Sequence, residues 1–188
     1  MYKLTILIPT IPERNVMLDA LLSKIYCQLT EGGFIGQVQV ITDQSMNMTI
    51  GEKRNSMMRV AKGDYVCFID DDDDISPDYI RLIMEGIETN PDCCSLIGEM
   101  TWNGTNPQLF EHSIKYNAYK TNINNRIMYE RFPNHLNCVK TSIAKQFEFP
   151  HWKSGEDTEQ ACRMFNSGLL KTEYEIKSVI YHYRYKSK

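Results

Sequence analysis

The chain has 188 residues, 42% of them hydrophobic, which suits one soluble globular domain with a sizeable core. Its 21 Lys and Arg against 24 Asp and Glu give a net charge of −3, so it lacks the general basic excess that non-specific nucleic-acid binders use to neutralise phosphates. Six cysteines show no C-x-x-C spacing, and the apolar run at residues 4–8 is cut by Pro9, which points away from a disulfide frame, a zinc site, a signal peptide or a membrane span, and towards a cytoplasmic protein with reduced thiols.

Residues 4–8 (Leu-Thr-Ile-Leu-Ile) read as a buried strand. A helix is expected over 13–29, with Val16, Met17, Ala20, Leu21, Leu22, Ile25 and Leu29 on one face and Gly32-Gly33 ending it. A second strand covers 38–42 and runs into Asp43; a helix follows over 52–61, and Lys62-Gly63-Asp64 turns the chain into a third strand at 65–69. This β-α-β-α-β order implies a parallel sheet with crossover helices. Ser76-Pro77-Asp78 reads as a helix start, with Ser76 as cap, for a helix ending near Thr89. A fourth strand is expected at 94–98, continuing towards Trp102. Over 103–137 the periodicity weakens, giving short strands and a long loop of the kind that carries function beside a rigid scaffold. Helices at 141–146 and 156–167 and a strand at 179–181 complete the chain. The sequons at Asn47 and Asn103 are chance matches in a cytoplasmic protein.

The third strand stops at five consecutive aspartates, Asp70 to Asp74. Adjacent carboxylates repel one another and cannot be buried without cations, so the block asks for a counter-ion; oxygen ligands suit Mg²⁺ or Mn²⁺. A solvated acidic turn capping the next helix would account for Asp78 but not for the other acids. An EF-hand loop counted from Asp70 fails, because its sixth position is Ile75 and its twelfth is Arg81.

The segments Ile6-Leu7-Ile8-Pro9-Thr10, Ile41-Thr42-Asp43, Arg54-Asn55, Ala61-Lys62-Gly63-Asp64-Tyr65, Phe68-Ile69-Asp70-Asp71-Asp72-Asp73 with Pro77, and Gly155-Glu156-Asp157 with Arg163 resemble family 2 glycosyltransferases. The similarity is dense over 4–80 and looser over 133–185, and its specificity lies in the order and spacing of the motifs. It implies an α/β GT-A fold: a Rossmann-like, mostly parallel central sheet flanked by helices. One domain would span 1–188, with a nucleotide-binding half at 1–98 and an acceptor and catalytic half at 99–188. The implied reaction is inverting transfer from a nucleoside diphosphate sugar, a UDP-sugar first of all, with Mn²⁺ or Mg²⁺.

By the same resemblance Thr10 and Asp43 hold the nucleobase, Arg54 lies near base and diphosphate, Asp70 and Asp71 face ribose and metal, and Asp72 ligates the metal, with Asp73 as the alternative one residue on. A late histidine, His182, would complete the metal shell, although a histidine in an aromatic strand also packs without ligating. Asp157 is the candidate base that takes the acceptor's proton, with Glu156 orienting substrate or simply exposed. Ser154-Gly155-Glu156-Asp157 also fits a capping box in which Asp157 only ties up a free N–H. Arg163 pairs with a nearby acid. Residues 133–137 could line the donor pocket, and Trp102, Tyr116, Tyr119 and Tyr129 could stack on an acceptor sugar or form partial core.

A nucleotidyltransferase would be expected to carry a Gly-rich phosphate loop, which residues 9–14 lack, and a non-catalytic nucleotide- or sugar-binding module is the other alternative. The expected acceptor is a glycan, protein or small molecule, since no hydrophobic tail suggests a membrane lipid. The charge balance gives DNA no support as acceptor, and oligomeric state stays open.

Overall fold

The computed structural model describes residues 1–123 and 125–185. In chain order the elements are β1 (Leu4–Pro9), a 3₁₀ turn (Pro12–Arg14), α1 (Asn15–Glu31), β2 (Val38–Asp43), α2 (Ile50–Val60), β3 (Tyr65–Phe68), β4 (Asp74–Ile75) and α3 (Tyr79–Ile87). They continue through β5 (Cys93–Cys94), β6 (Leu96–Trp102), β7 (Thr105–His112), β8 (Lys120–Thr121), β9 (Ile127–Arg131), β10 (Val139–Lys140), α4 (Thr141–Ala144), α5 (Glu156–Asn166), β11 (Glu173–Tyr174) and β12 (Val179–Tyr185).

The first sheet has strand order β11-β5-β10-β3-β1-β2, with β1 parallel to both β2 and β3. Its centre is buried on both faces, which is why β1 reads as an unbroken apolar run rather than an alternating one. Leu4, Ile6 and Ile8 pack with Leu18, Leu21, Ile25 and Leu29 of α1 and with Ile80, Ile83 and Ile87 of α3. Leu7, on the opposite side, joins Met57 and Met58 of α2, Ile143 of α4 and Met164 of α5. The buried stripe of α1 passes through Leu18 rather than Val16 and Met17, which are exposed.

The second sheet has order β4-β12-β6-β7-β9-β8. Asn103 (φ 50°) and Gly104 (φ 78°) form the two-residue turn between β6 and β7, the left-handed pair that a tight hairpin requires. Between residues 103 and 137, where short strands and a long loop were expected, the strands β7, β8 and β9 add to this sheet. The segment expected as one strand at 94–98 belongs to both sheets: β5 pairs in parallel with β11, and β6 pairs in parallel with β12. Ser95 sits between them, 1% exposed, its amide donating to the Tyr174 carbonyl (2.9 Å) and its hydroxyl accepting from the Ile176 amide (2.8 Å).

Two expected side-chain caps do not form. The Ser76 amide is drawn to the Ile180 carbonyl (3.0 Å), α3 starts only at Tyr79, and the first-turn Ile80 amide donates to the Gln28 side chain of α1 (2.9 Å). At α5 the cap is Gly155 in a left-handed conformation (φ 79°), with no side-chain capping bond, so Ser154 and Asp157 form no capping box.

Candidate active site

The aspartate block sits where β3 leaves the first sheet and β4 enters the second, and its carboxylates fan out to different partners. Asp70 meets Arg54 Nη2 at 3.0 Å. Asp71, 2% exposed, accepts from the Thr10 hydroxyl (2.6 Å) and from Arg14 Nη1 (2.7 Å). Asp72 faces Arg14 Nη2 at 3.1 Å. Asp73 accepts from the Tyr181 hydroxyl (2.7 Å) and the Arg184 amide (2.8 Å), and Asp74 from Lys24 (2.6 Å) and Arg184. The counter-ions that the sequence demanded are thus in large part arginines and lysines from α1, α2, β12 and the turn after β1.

The neighbours split the proton affinities of this block. Burial acts to raise the Asp70 pKa, but opposing interactions, the Arg54 charge foremost, hold it far below the usual carboxylate range. Asp72 is raised by burial and by the Asp71 and Asp70 charges, against the pull of Arg14. Asp73 is pushed up to about 8 by burial and by Asp70, despite its two hydrogen bonds.

Arg54 is 4% exposed and lies inside the protein between the Phe68 and Phe149 rings, 5.7 Å from each centroid. Its Nη1 pairs with Glu156, which is itself 3% exposed, and its Nη2 contacts Asp70 and His135 Nε2 (3.1 Å). The acidic turn and the start of α5, far apart in the chain, are joined through this guanidinium. Glu156 is therefore neither exposed nor turned towards solvent. His135 lies between the two acids, with Nε2 3.6 Å from Asp70 Oδ2 and Nδ1 3.7 Å from Asp157 Oδ2.

A cleft of about 420 Å³ opens beside these groups; Asp70, His135, Asp157, Trp102, Tyr129, Tyr183 and Tyr185 are among the residues lining it. Trp102 and Tyr129, two of the four aromatics considered for acceptor stacking or partial core, line the cleft, and Tyr183 and Tyr185 join them because alternate residues of β12 share one face. Tyr116 instead donates to Glu111 (2.6 Å), and Tyr119 packs on Phe132 (4.5 Å between centroids). His182 alternates to the other face of β12, its ring 3.9 Å from Glu99 and its backbone paired across the ladder with Asp74, the last aspartate of the block. Arg163 pairs with Glu159 within α5 (2.7 Å).

On the other side of the acidic turn, Thr10 is 3% exposed and committed to Asp71, while Asp43 at the end of β2 accepts from the Ser45 amide (2.8 Å). Lys53, buried on α2, donates to the Thr10 carbonyl (2.6 Å), and its pKa is lowered by burial against the attraction of Asp43 and Asp71. Sequence reasoning missed Lys53, Arg14 and Tyr181. Only the one-turn spacing of Thr49 and Glu52, which form a capping box fixing the start of α2, hinted at how Lys53 is oriented.

Among the described residues no group of three His, Cys, Asp or Glu side chains is arranged to hold a metal alone. Asp72, with a side chain 31% exposed and a proton affinity raised in part by neighbouring carboxylates, is the member of the block suited to share a cation. A single carboxylate fits Mg²⁺ or Mn²⁺ that arrives with phosphate oxygens and keeps waters, rather than one caged by protein. Among the described residues no helix is long and apolar enough to cross a membrane.

The family model for glycosyl transferase family 2 matches residues 25–145. Among solved structures, S. aureus TarS 1–349 in complex with UDP-GlcNAc is similar at 18% identity over 99% of this chain and 59% of that one, with a TM-score of 0.66. The same fragment in complex with UDP gives 16%, 97%, 60% and 0.64, and a structure of S. aureus TarS gives 18%, 97%, 37% and 0.62. The chain spans about three fifths of the length of the TarS 1–349 fragment. No curated protein matches it by sequence.

Proposed function

Since the chain belongs to glycosyl transferase family 2 and has the GT-A fold, we propose that it moves a sugar from a UDP-sugar to a hydroxyl acceptor, with inversion at the anomeric carbon. The observation that carries this reading is that Asp70 of the acidic turn and Asp157 at the start of α5 line one cleft. Inversion needs a base on the face of the sugar away from the departing diphosphate, and two carboxylates from separate elements bordering one space suit that division of labour.

In this reading Asp157 takes the acceptor's proton, and Asp43 and Asp70 face the nucleotide. Thr10, Asp71 and Arg54, all buried, keep the donor wall in place through their hydrogen bonds and ion pairs. Asp72 would hold a Mg²⁺ or Mn²⁺ ion, whose chemistry when bound is to stabilise charge on the departing diphosphate as a Lewis acid. The similarity to a UDP-GlcNAc complex supports a UDP-sugar as donor. Trp102, Tyr129, Tyr183 and Tyr185 offer flat apolar faces with polar edges, which suits a glycan or other ring-bearing acceptor.

The test is to incubate the protein with Mn²⁺ and a panel of nucleotide sugars, with and without EDTA, and to measure nucleotide release. The expected result is EDTA-sensitive release from a UDP-sugar, lost by roughly 10²-fold or more in Asp157→Asn while UDP binding is kept. An Asp157→Asn protein that turns over like the wild type overturns the assignment of the base.

A further inference from the structure

We propose that His135 is a positioning residue that holds the Asp157 carboxylate through a proton on Nδ1. The inference rests on the reading of Asp157 as the base. It begins with Arg54, whose Nη2 lies 3.1 Å from His135 Nε2 in a buried contact. A guanidinium has hydrogens to donate and no lone pair to offer, and it stands closer to Nε2 than Asp70 Oδ2 does at 3.6 Å, so in this contact Nε2 is the acceptor. In the neutral ring the proton then belongs to Nδ1. The buried Arg54 thereby selects the tautomer.

Nδ1 is buried and has no hydrogen-bond partner, while Asp157 Oδ2 stands 3.7 Å away. A buried donor left unpaired is costly, and a small movement of Asp157 relieves that cost. Catalytic hydrogen bonds are commonly long in unliganded proteins and shorten when substrate binds. The ring itself has little freedom. The His135 carbonyl accepts from the Phe68 amide (2.9 Å), anchoring the residue to β3, and the imidazole packs edge-on to the Phe68 ring with centroids 6.1 Å apart. A carboxylate tethered at Oδ2 keeps Oδ1 for the acceptor's proton. Because the tether starts from the guanidinium that also contacts Asp70, the donor side of the cleft sets the orientation of the base.

Two measurements test this. In long-range ¹H–¹⁵N spectra of the uniformly labelled full chain, the His135 signals, identified by their loss in His135→Asn, are expected to show the Nδ1–H pattern and to shift in Asp157→Asn. An Nε2–H pattern overturns the proposal. In Mn²⁺-dependent UDP release from UDP-GlcNAc, His135→Asn, whose amide can occupy the Nδ1–H position, is expected to keep kcat within about threefold. His135→Gln, whose amide reaches the Nε2 position, is expected to lose roughly 10- to 100-fold in kcat with KM within about twofold. A side chain that mattered only for packing and for satisfying Arg54 would give the opposite order, and that result overturns the proposal. A wild type that releases no UDP would count against the donor reading alone, and the ring spectrum then decides the place of the proton.

Discussion

Arg54 on α2 and Glu156, the first residue of α5, form an ion pair in which both side chains are 5% exposed. Charges are seldom withdrawn from water this far without a second partner, and here Asp70 supplies it at 3.0 Å. One guanidinium thus fixes the distance between the acidic turn and the helix that carries Asp157.

Breaking this triad from one side strands a charge in the interior. Arg54→Met is expected to cost about 3–5 kcal/mol in urea unfolding, and the double variant with Glu156→Leu to recover a large part of it. A single variant that costs under ~1 kcal/mol would show that the pair is hydrated in solution and holds nothing in place.

His112 introduces a pH dependence of known sign. Burial pushes its imidazole down to about 3, against the hydrogen bond to Asn137 at 3.2 Å. A depressed folded-state pKa gives stability that is complete above the unfolded value of about 6.5 and is lost as pH falls towards 3. At pH 5 the loss is about 2 kcal/mol from this group. Urea midpoints measured from pH 4 to 8 are expected to fall more steeply on the acid side for the wild type than for His112→Gln. Parallel curves would mean that the ring is not neutral and buried.

Gly51, in the first turn of α2, is held against backbone rather than side chain. A methyl group there would lie 1.9 Å from the Pro150 carbonyl oxygen. Gly51→Ala is therefore expected to cost roughly 1–3 kcal/mol and to disturb the segment that leads into α5. An alanine variant with unchanged stability and activity would show that the approach of α2 to residue 150 is looser than described.

Asp72 is exposed enough to be replaced without unfolding the chain. Asp72→Asn is expected to weaken Mn²⁺ binding in the presence of UDP by roughly tenfold or more, read by calorimetric titration, with stability changed by less than about 0.5 kcal/mol. Unaltered Mn²⁺ affinity would move the ligand elsewhere, with Asp73→Asn the next variant to titrate.

β1 and β3 were legible because burial on both faces leaves an unmistakable apolar run ending at polar loops, and β2, at the sheet edge and only partly buried, by its Val38, Val40 and Ile41. The start of α3 was not, since Ser76 is a good cap by type and yet its amide is drawn into the second sheet while Gln28 serves the helix from outside. Local pattern cannot register a competitor 52 residues away. The Asn103-Gly104 hairpin was legible in principle, as two residues suited to left-handed backbone between strand-like flanks, but the dipeptide was read only as a sequon. At the site, the aspartates and Asp157 stood out as residue types. Their cations did not, because Arg14, Lys24 and Arg184 look like ordinary surface charges until folding brings them to the turn.

The crossing at Ser95 has a bearing on how the chain can be divided. Two strands pass from one sheet to the other side by side, one through residue 95 and the other between residues 174 and 179, and each sheet contains a member of both. A truncation after residue 98 would cut β6 short and leave β5 without its parallel neighbour β11, and bare strand edges invite self-association. The two halves are laced rather than linked, so co-expressed fragments should assemble while either one alone precipitates.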